Sequence, residues 1–226
     1  MSNPTVIIVP GWRNSGPGHW QTLWAERLPG AVRVEQDDWL WPKRQPWVQR
    51  LSETVLAQPG PVVLVAHSLG CITTAHLPEA VASRVQGALL VAPADPERRG
   101  VLADFAPVPY QRLPYRSVLV ASDNDPFCPV RLAGAYARAW GSEFVRVPRA
   151  GHINVESGSC GCPGPATSTW SRATASGRWA WPCCSRCCPR PWRPALFIPR
   201  WHKKTRTKSF VFGWRASRMA HIPTVS

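Results

Sequence analysis

Residues 61–71 read PVVLVAHSLGC. Val62 to Ala66 form an apolar run without polar alternation, the pattern of a strand covered on both faces rather than one. After His67 the run gives way to Ser68, Leu69, Gly70 and Cys71, and the continuation suits a helix from Leu69 to Leu77. A serine at such a strand-to-helix corner is turned away from the sheet, and the helix behind it aims unpaired backbone NH groups at whatever approaches. The general pattern at these corners is G-x-S-x-G, and here Ala66 stands at the first position and Gly70 at the last. Serine is also a favoured helix N-cap, so the corner by itself leaves a structural role open.

Outward from this segment the same kind of run recurs. TVIIVP (Thr5 to Pro10), a strand near Val32 to Val34, GALLVAP (Gly87 to Pro93), SVLVAS (Ser117 to Ser122) and EFVRVP (Glu143 to Pro148) all read as strands. Helix-like stretches alternate with them, at His19 to Leu28, Trp47 to Gln58 and Val130 to Trp140. The alternation predicts an α/β fold, a mostly parallel sheet flanked by helices. Ligands of such sheets collect beyond the carboxyl ends of the strands, so the loops after each strand are where chemistry is expected.

Those loops hold the unusual residues. After SVLVAS comes Asp123-Asn124-Asp125-Pro126-Phe127-Cys128-Pro129, and after EFVRVP comes Arg149-Ala150-Gly151-His152. Serine at its ordinary pKa is a poor nucleophile: a neutral imidazole must take its proton, and a carboxylate must fix that imidazole's tautomer. Ser68, an aspartate and His152 fill those roles in the chain order nucleophile, acid, base. Of the two aspartates, Asp125 stands at the start of the next helix and is favoured as the acid. Asp123 reads as a turn residue or a supporting hydrogen-bond partner. His67 is expected to be packed or supporting rather than a base; His76 and His19 both admit a reading as helix-surface or loop histidines, which is preferred for His76. The glycine-containing loop after the first strand, PGWRNSGPGHWQTLW, allows close backbone approach. The backbone NH groups of Trp12 and Leu69 are therefore the expected oxyanion donors. Trp12 and Trp20 are candidates for lining a substrate pocket.

The segments VPGWRNSGPGHWQTLW, VAHSLGC, ASDNDPFCP and AGHINVESG together resemble the small serine hydrolases of the YdeN and retinoblastoma-binding-protein-nine type, within the α/β-hydrolase superfamily. The resemblance spans about residues 5–158. It implies an α/β-hydrolase domain over residues 1–158 without a lid domain or a cofactor, with Ser68 as nucleophile, Asp125 as acid and His152 as base. The implied reaction is hydrolysis of a small-molecule carboxylic ester, or an amide. Alanine at position 66 is no departure, because the elbow of this family commonly reads V-x-H-S-L-G.

Charge divides the chain at the same boundary. The 226 residues carry a formal charge of +14. Residues 1–157 hold 15 basic and 13 acidic residues, whereas residues 158–226 hold 12 basic and none acidic. Six of the eight cysteines and six of the 13 tryptophans also fall in that second part, which shows no sustained period. Three readings of residues 159–226 follow. The first is a shifted reading frame in GC-rich DNA, which turns leucine codons into cysteine and tryptophan codons. A tail of that origin would lack the family's last helix and impair activity. The second is a zinc site using Cys183, Cys184, Cys187 and Cys188, with Cys160, Cys162 or His202; a second knuckle at proper spacing is missing, so no metal is assigned. The third is a basic, aromatic-rich tail that contacts nucleic acid. Low hydrophobic periodicity with eight prolines favours disorder there. No apolar run approaches the roughly 20 residues that cross a bilayer, and Met1 to Gly11 lacks a signal-peptide pattern. A cytoplasmic location without membrane contact is expected, and composition assigns no oligomeric state.

Overall fold

The apolar runs pair side by side, as strands buried on both faces must. In the computed structural model, which describes residues 4–155, β1 (Thr5–Val9), β2 (Val32–Arg33), β3 (Val62–His67), β4 (Val85–Val91), β5 (Arg116–Ser122) and β6 (Glu143–Val147) form one sheet. Its order is β2-β1-β3-β4-β5-β6, and every pairing among them is parallel. The chain runs from β1 outward to β2 and then returns to the other side of β1 to lay down β3. That reversal makes the carboxyl ends of β1 and β3 the switch point where open α/β sheets bind ligands. The loops that follow these two strands begin with Gly11-Trp12 and Ser68-Leu69, respectively.

Alternate residues of each strand serve opposite faces. Ile7 and Val9 of β1 and Leu64 and Ala66 of β3 join a core with Trp47, Leu51, Ile72, Tyr136 and Trp140. Ile8, Val65 and Val91 turn to the other face, where Trp20 packs on them. Burial of each such aliphatic side chain is worth about 1.5–3 kcal/mol, so the large first core carries most of the stability. Its helices are α2 (Arg44–Leu56), α3 (Leu69–Ala75) and α5 (Val130–Trp140), while α1 (Trp20–Arg27) covers the second face.

Element ends differ from the sequence expectation for local reasons. The α2 helix starts three residues before Trp47, because Pro46 is tolerated in a first turn and the Arg44 amide finds Asp104 Oδ2 at 2.7 Å. The α3 helix stops at Ala75, short of Leu77, since Pro78 cannot be preceded by helical backbone at low cost. A further short helix, α4 (Glu79–Ala82), has Pro78 as its N-cap. The β4 strand runs from Val85 to Val91 and so begins two residues before Gly87. Among the described residues, no helix is long and apolar enough to cross a membrane. The tail expectations, namely the domain boundary at 158, the zinc set with its cysteines and His202, and nucleic-acid contact, concern residues outside those described.

Candidate active site

Ser68 occupies a conformation that only the surrounding packing can impose. Its φ of 54° and ψ of −121° lie where a residue with a Cβ is strained, at a cost on the order of 1–3 kcal/mol. Three backbone bonds hold it. The Ser68 amide donates to the Val91 carbonyl at 3.0 Å, and the Ser68 carbonyl accepts from Cys71 at 3.0 Å and Ala94 at 3.3 Å. The turn is also wedged against the loop after β1. A Cβ on Gly11 would come within 2.6 Å of Ser68 Cβ, and one on Gly70 would strike the Val9 carbonyl and lie 2.7 Å from that of Pro10. The small residues of the elbow are thus demanded by backbone-to-backbone approach rather than by turn flexibility.

Three expected side chains converge beyond the carboxyl ends of β3, β5 and β6. Ser68 Oγ lies 2.8 Å from His152 Nε2. His152 Nδ1 lies 3.0 Å and 2.9 Å from the two carboxylate oxygens of Asp125. A carboxylate only accepts, so Nδ1 carries the proton and Nε2 is left to accept from the serine hydroxyl. The His152 and Asp125 side chains are 5% and 2% exposed, which strengthens their interaction by excluding water. Phe127 stacks on the imidazole with ring centres 4.2 Å apart, and its amide donates to Asp125 Oδ1 at 2.7 Å.

Asp123 has the supporting position expected of it. Its Oδ1 accepts from the Arg149 amide at 2.7 Å. It belongs to a ladder between two loops that the sequence did not disclose. The Ser122 hydroxyl accepts from the Ala150 amide at 2.8 Å, and Asn124 Oδ1 accepts from the Gly151 amide at 2.7 Å and from Ser122 Oγ at 2.8 Å. Asp125 takes the next residue, His152, through its side chain. The last residue of β5 and the three that follow it therefore hold four consecutive residues after β6, Arg149 to His152. The parallel register that sets Ser122 opposite Val147 is continued by these side chains beyond the sheet.

Behind His152 sit two more imidazoles. The His67 ring centre is 4.9 Å from that of His152 and 4.9 Å from that of His19. Burial first, then the neighbouring His152 and His19, push the His67 pKa well below its ordinary value, although its bond to the His152 carbonyl opposes the shift. A neutral His67 donates from Nε2 to that carbonyl at 2.9 Å and so steadies the His152 backbone without adding charge beside it. His19, open in sequence to a loop or helix-surface reading, is buried and caps α1 by accepting the Gln21 amide at Nδ1. Burial, then Arg33 and His152, lower its pKa to about 4. His76 lies at the carboxyl end of α3, with Nε2 3.0 Å from the Phe105 carbonyl.

Trp12 follows Gly11 in the loop after β1, and Leu69 follows Ser68 as the first residue of α3. Among the described residues neither backbone amide donates to a protein acceptor. Trp12 turns its indole aside, with Nε1 donating to the Leu40 carbonyl at 3.0 Å. Trp20, the other candidate for lining a pocket, is turned into the fold. Trp20 is 8% exposed, packs edge-on to His67, and donates from Nε1 to the Ile153 carbonyl at 3.0 Å. Its ring is drawn inward by the apolar second face of the sheet, where it braces the His152 loop. Gln21 escaped the sequence reading altogether. Fully buried, it donates from Nε2 to the carbonyls of Val9 at 3.0 Å and Val65 at 2.9 Å, and its Oε1 accepts from Ser15 Oγ at 2.7 Å. One side chain thereby ties the ends of β1 and β3 together.

Among the described residues, neither Cys71 nor Cys128 competes as a nucleophile. Burial raises the Cys71 thiol far above its usual range and pushes Cys128 up to about 12, so both stay protonated at neutral pH. Among the described residues no cluster of three or more histidine, cysteine or acidic side chains could hold a metal ion.

The fold has counterparts among known proteins. The family model described as serine hydrolase matches residues 6–164. A crystal structure described as a YdeN-like hydrolase from Pectobacterium atrosepticum is 34% identical, with 70% of this chain and 84% of that one covered at a TM-score of 0.63. The ydeN gene product of B. subtilis shares the fold at 23% identity, covering 71% of this chain and 94% of that one, with a TM-score of 0.59. Est1E from Butyrivibrio proteoclasticus, crystallised with ferulic acid, shares it at 13% identity and a TM-score of 0.56, covering 68% of this chain and 83% of that one. A search of curated protein sequences finds no match.

Proposed function

The chain belongs to the serine hydrolase family, and from that premise we propose that it cleaves a small carboxylic ester through an acyl-enzyme, with Ser68, His152 and Asp125 as its triad. The observation that carries this reading is the unbroken hydrogen-bonded line from Ser68 Oγ through both nitrogens of His152 to Asp125. The hydrolytic unit in this reading is residues 1–158.

As Ser68 Oγ attacks the ester carbonyl, its proton passes to His152 Nε2, and the new imidazolium is stabilised by the Asp125 carboxylate. The carbonyl oxygen becomes an oxyanion beside Ser68, within reach of the Trp12 and Leu69 amides. Because those donors are fixed before the reaction begins, they favour the transition state over the ground state, an effect worth about 3–4 kcal/mol per donor in comparable sites. Collapse of the tetrahedral species breaks the bond to the alkoxide, which takes the proton from His152 and leaves. Water then enters, gives a proton to His152 and attacks the acyl-Ser68 ester, releasing the acid and regenerating the hydroxyl. Phe127 covers one face of the imidazole and limits its swing between these steps.

Rapid mixing with 4-nitrophenyl butyrate tests the reading. The expected trace is a burst of 4-nitrophenol approaching one equivalent per chain, followed by slower turnover, and Ser68→Ala removes both. Ester hydrolysis that persists in Ser68→Ala at the wild-type rate contradicts it.

A further inference from the structure

The loop after β4 brings a cation to the mouth of this site. Arg99 lies between the short 3-10 helices Pro96–Arg98 and Gly100–Phe105 and is exposed. Its guanidinium carbon stands 4.2 Å from the centre of the Phe127 ring and 5.8 Å from that of Trp12. Phe127 is the ring stacked on His152, and Trp12 carries the amide assigned above to the oxyanion. Arg99 thus lies against the ring that covers His152 and near the indole of the loop after β1. A second guanidinium, that of Arg13, lies 4.4 Å from the Trp12 ring centre.

Among the described residues neither Arg99 nor Arg13 has an ion-pair partner. The acids of the same loop are otherwise disposed: Asp95 turns back on its own turn to accept the Glu97 amide at 3.1 Å, and both it and Glu97 bear electrostatically on Tyr110 and Tyr136. Asp125 is committed to His152 and the Phe127 amide. The two aromatic faces orient the Arg99 guanidinium while consuming none of its NH donors, and that planar fork matches a carboxylate in bidentate fashion.

We propose that Arg99 selects substrates bearing a carboxylate, so that the esters turned over best are anionic ones. The proposal rests on the ester-hydrolase reading and names the substrate class of the same site. A charge-assisted bond of this kind is expected to raise kcat/KM about ten- to hundredfold over an uncharged analogue.

Two matched substrate pairs test it on the full chain. For the acyl side the pair is mono-4-nitrophenyl adipate and 4-nitrophenyl hexanoate; for the leaving-group side it is 3-carboxyphenyl butyrate and phenyl butyrate, each corrected for spontaneous hydrolysis. The expected result is a charged-to-neutral ratio of kcat/KM of ten or more in at least one pair. That ratio should collapse towards one in Arg99→Met and be partly kept in Arg99→Lys. A wild-type ratio near one in both pairs overturns the proposal, as does a high ratio that Arg99→Met leaves unchanged. An equal loss on charged and neutral esters in Arg99→Met also overturns it, because it would show that Arg99 only props Phe127 against His152. Failure of the underlying reading looks different: no burst with neutral 4-nitrophenyl butyrate and no dependence on Ser68, a result that takes this proposal with it.

Discussion

Ser68 is held by backbone packed against backbone, whereas His152 is held by side chains reaching across from a neighbouring loop. On the Ser68 side, Gly11 and Gly70 bring the ends of β1 and β3 so close that a single added carbon has no room, and Gln21 bonds both strand ends. On the His152 side, β6 is the edge strand among the described residues, and the loop beyond it hangs on Ser122, Asp123, Asn124 and Asp125. One half is rigid by sterics, and its failure would be a failure of folding. The other is positioned by replaceable hydrogen bonds, and its failure would be one of geometry, felt in turnover well before stability.

Substitutions separate the two halves. The largest effect is expected at the last rung of the ladder: Asp125→Asn preserves shape but removes the charge that fixes the His152 tautomer, and kcat should fall by about 10⁴ with little change in thermal midpoint. Gly70→Ala strikes the rigid half instead. Its Cβ meets the Val9 carbonyl, so urea denaturation should show a loss of about 1–3 kcal/mol, and the surviving folded fraction should turn over slowly because Ser68 has shifted. Asn124→Ala deprives the Gly151 amide of its acceptor. A displaced His152 loop should lower kcat about tenfold with KM nearly unchanged; equal effects on stability and kcat would mean that the two halves are not distinct.

The smallest effect lies at the seam, where His19 and His67 pack between the halves. Both have folded pKa values below the ordinary 6.5, that of His19 at about 4. As pH falls through 6.5, the unfolded chain binds protons that the folded chain refuses, so stability is full above that value and declines towards pH 4. Urea midpoints at pH 7.5, 5.5 and 4.5 should descend in that order. His19→Asn keeps a cap acceptor without a titrating ring and should flatten the descent; an unchanged slope would place the acid sensitivity elsewhere.

Much of this was legible because doubly covered parallel strands advertise themselves. VVLVA, ALLVA and SVLVA are too continuously apolar for one-sided burial, and the residues just after such strands were the right ones to inspect. Position in the loop also separated Asp125 from Asp123: Asp125 contacts His152, and Asp123 accepts the Arg149 amide. The start of α2 was hidden because its capping acid, Asp104, lies 60 residues away. The α4 helix is four residues long, too short to show a period. Gln21 resembles any helix glutamine in sequence; only coordinates reveal that its face is turned inward. The ladder was hidden for another reason: each rung looks like an ordinary turn residue, and the pairing emerges only when the β5–β6 register is known.

The central claim is that Ser68, made reactive by His152, is the nucleophile. Incubation of the folded chain with a biotinylated fluorophosphonate, followed by peptide mass analysis, tests it most directly. The expected result is one adduct, on the peptide containing Ser68, absent in Ser68→Ala and strongly slowed in His152→Ala. Folded protein that stays unlabelled, or an adduct on another residue that persists in Ser68→Ala, would contradict it.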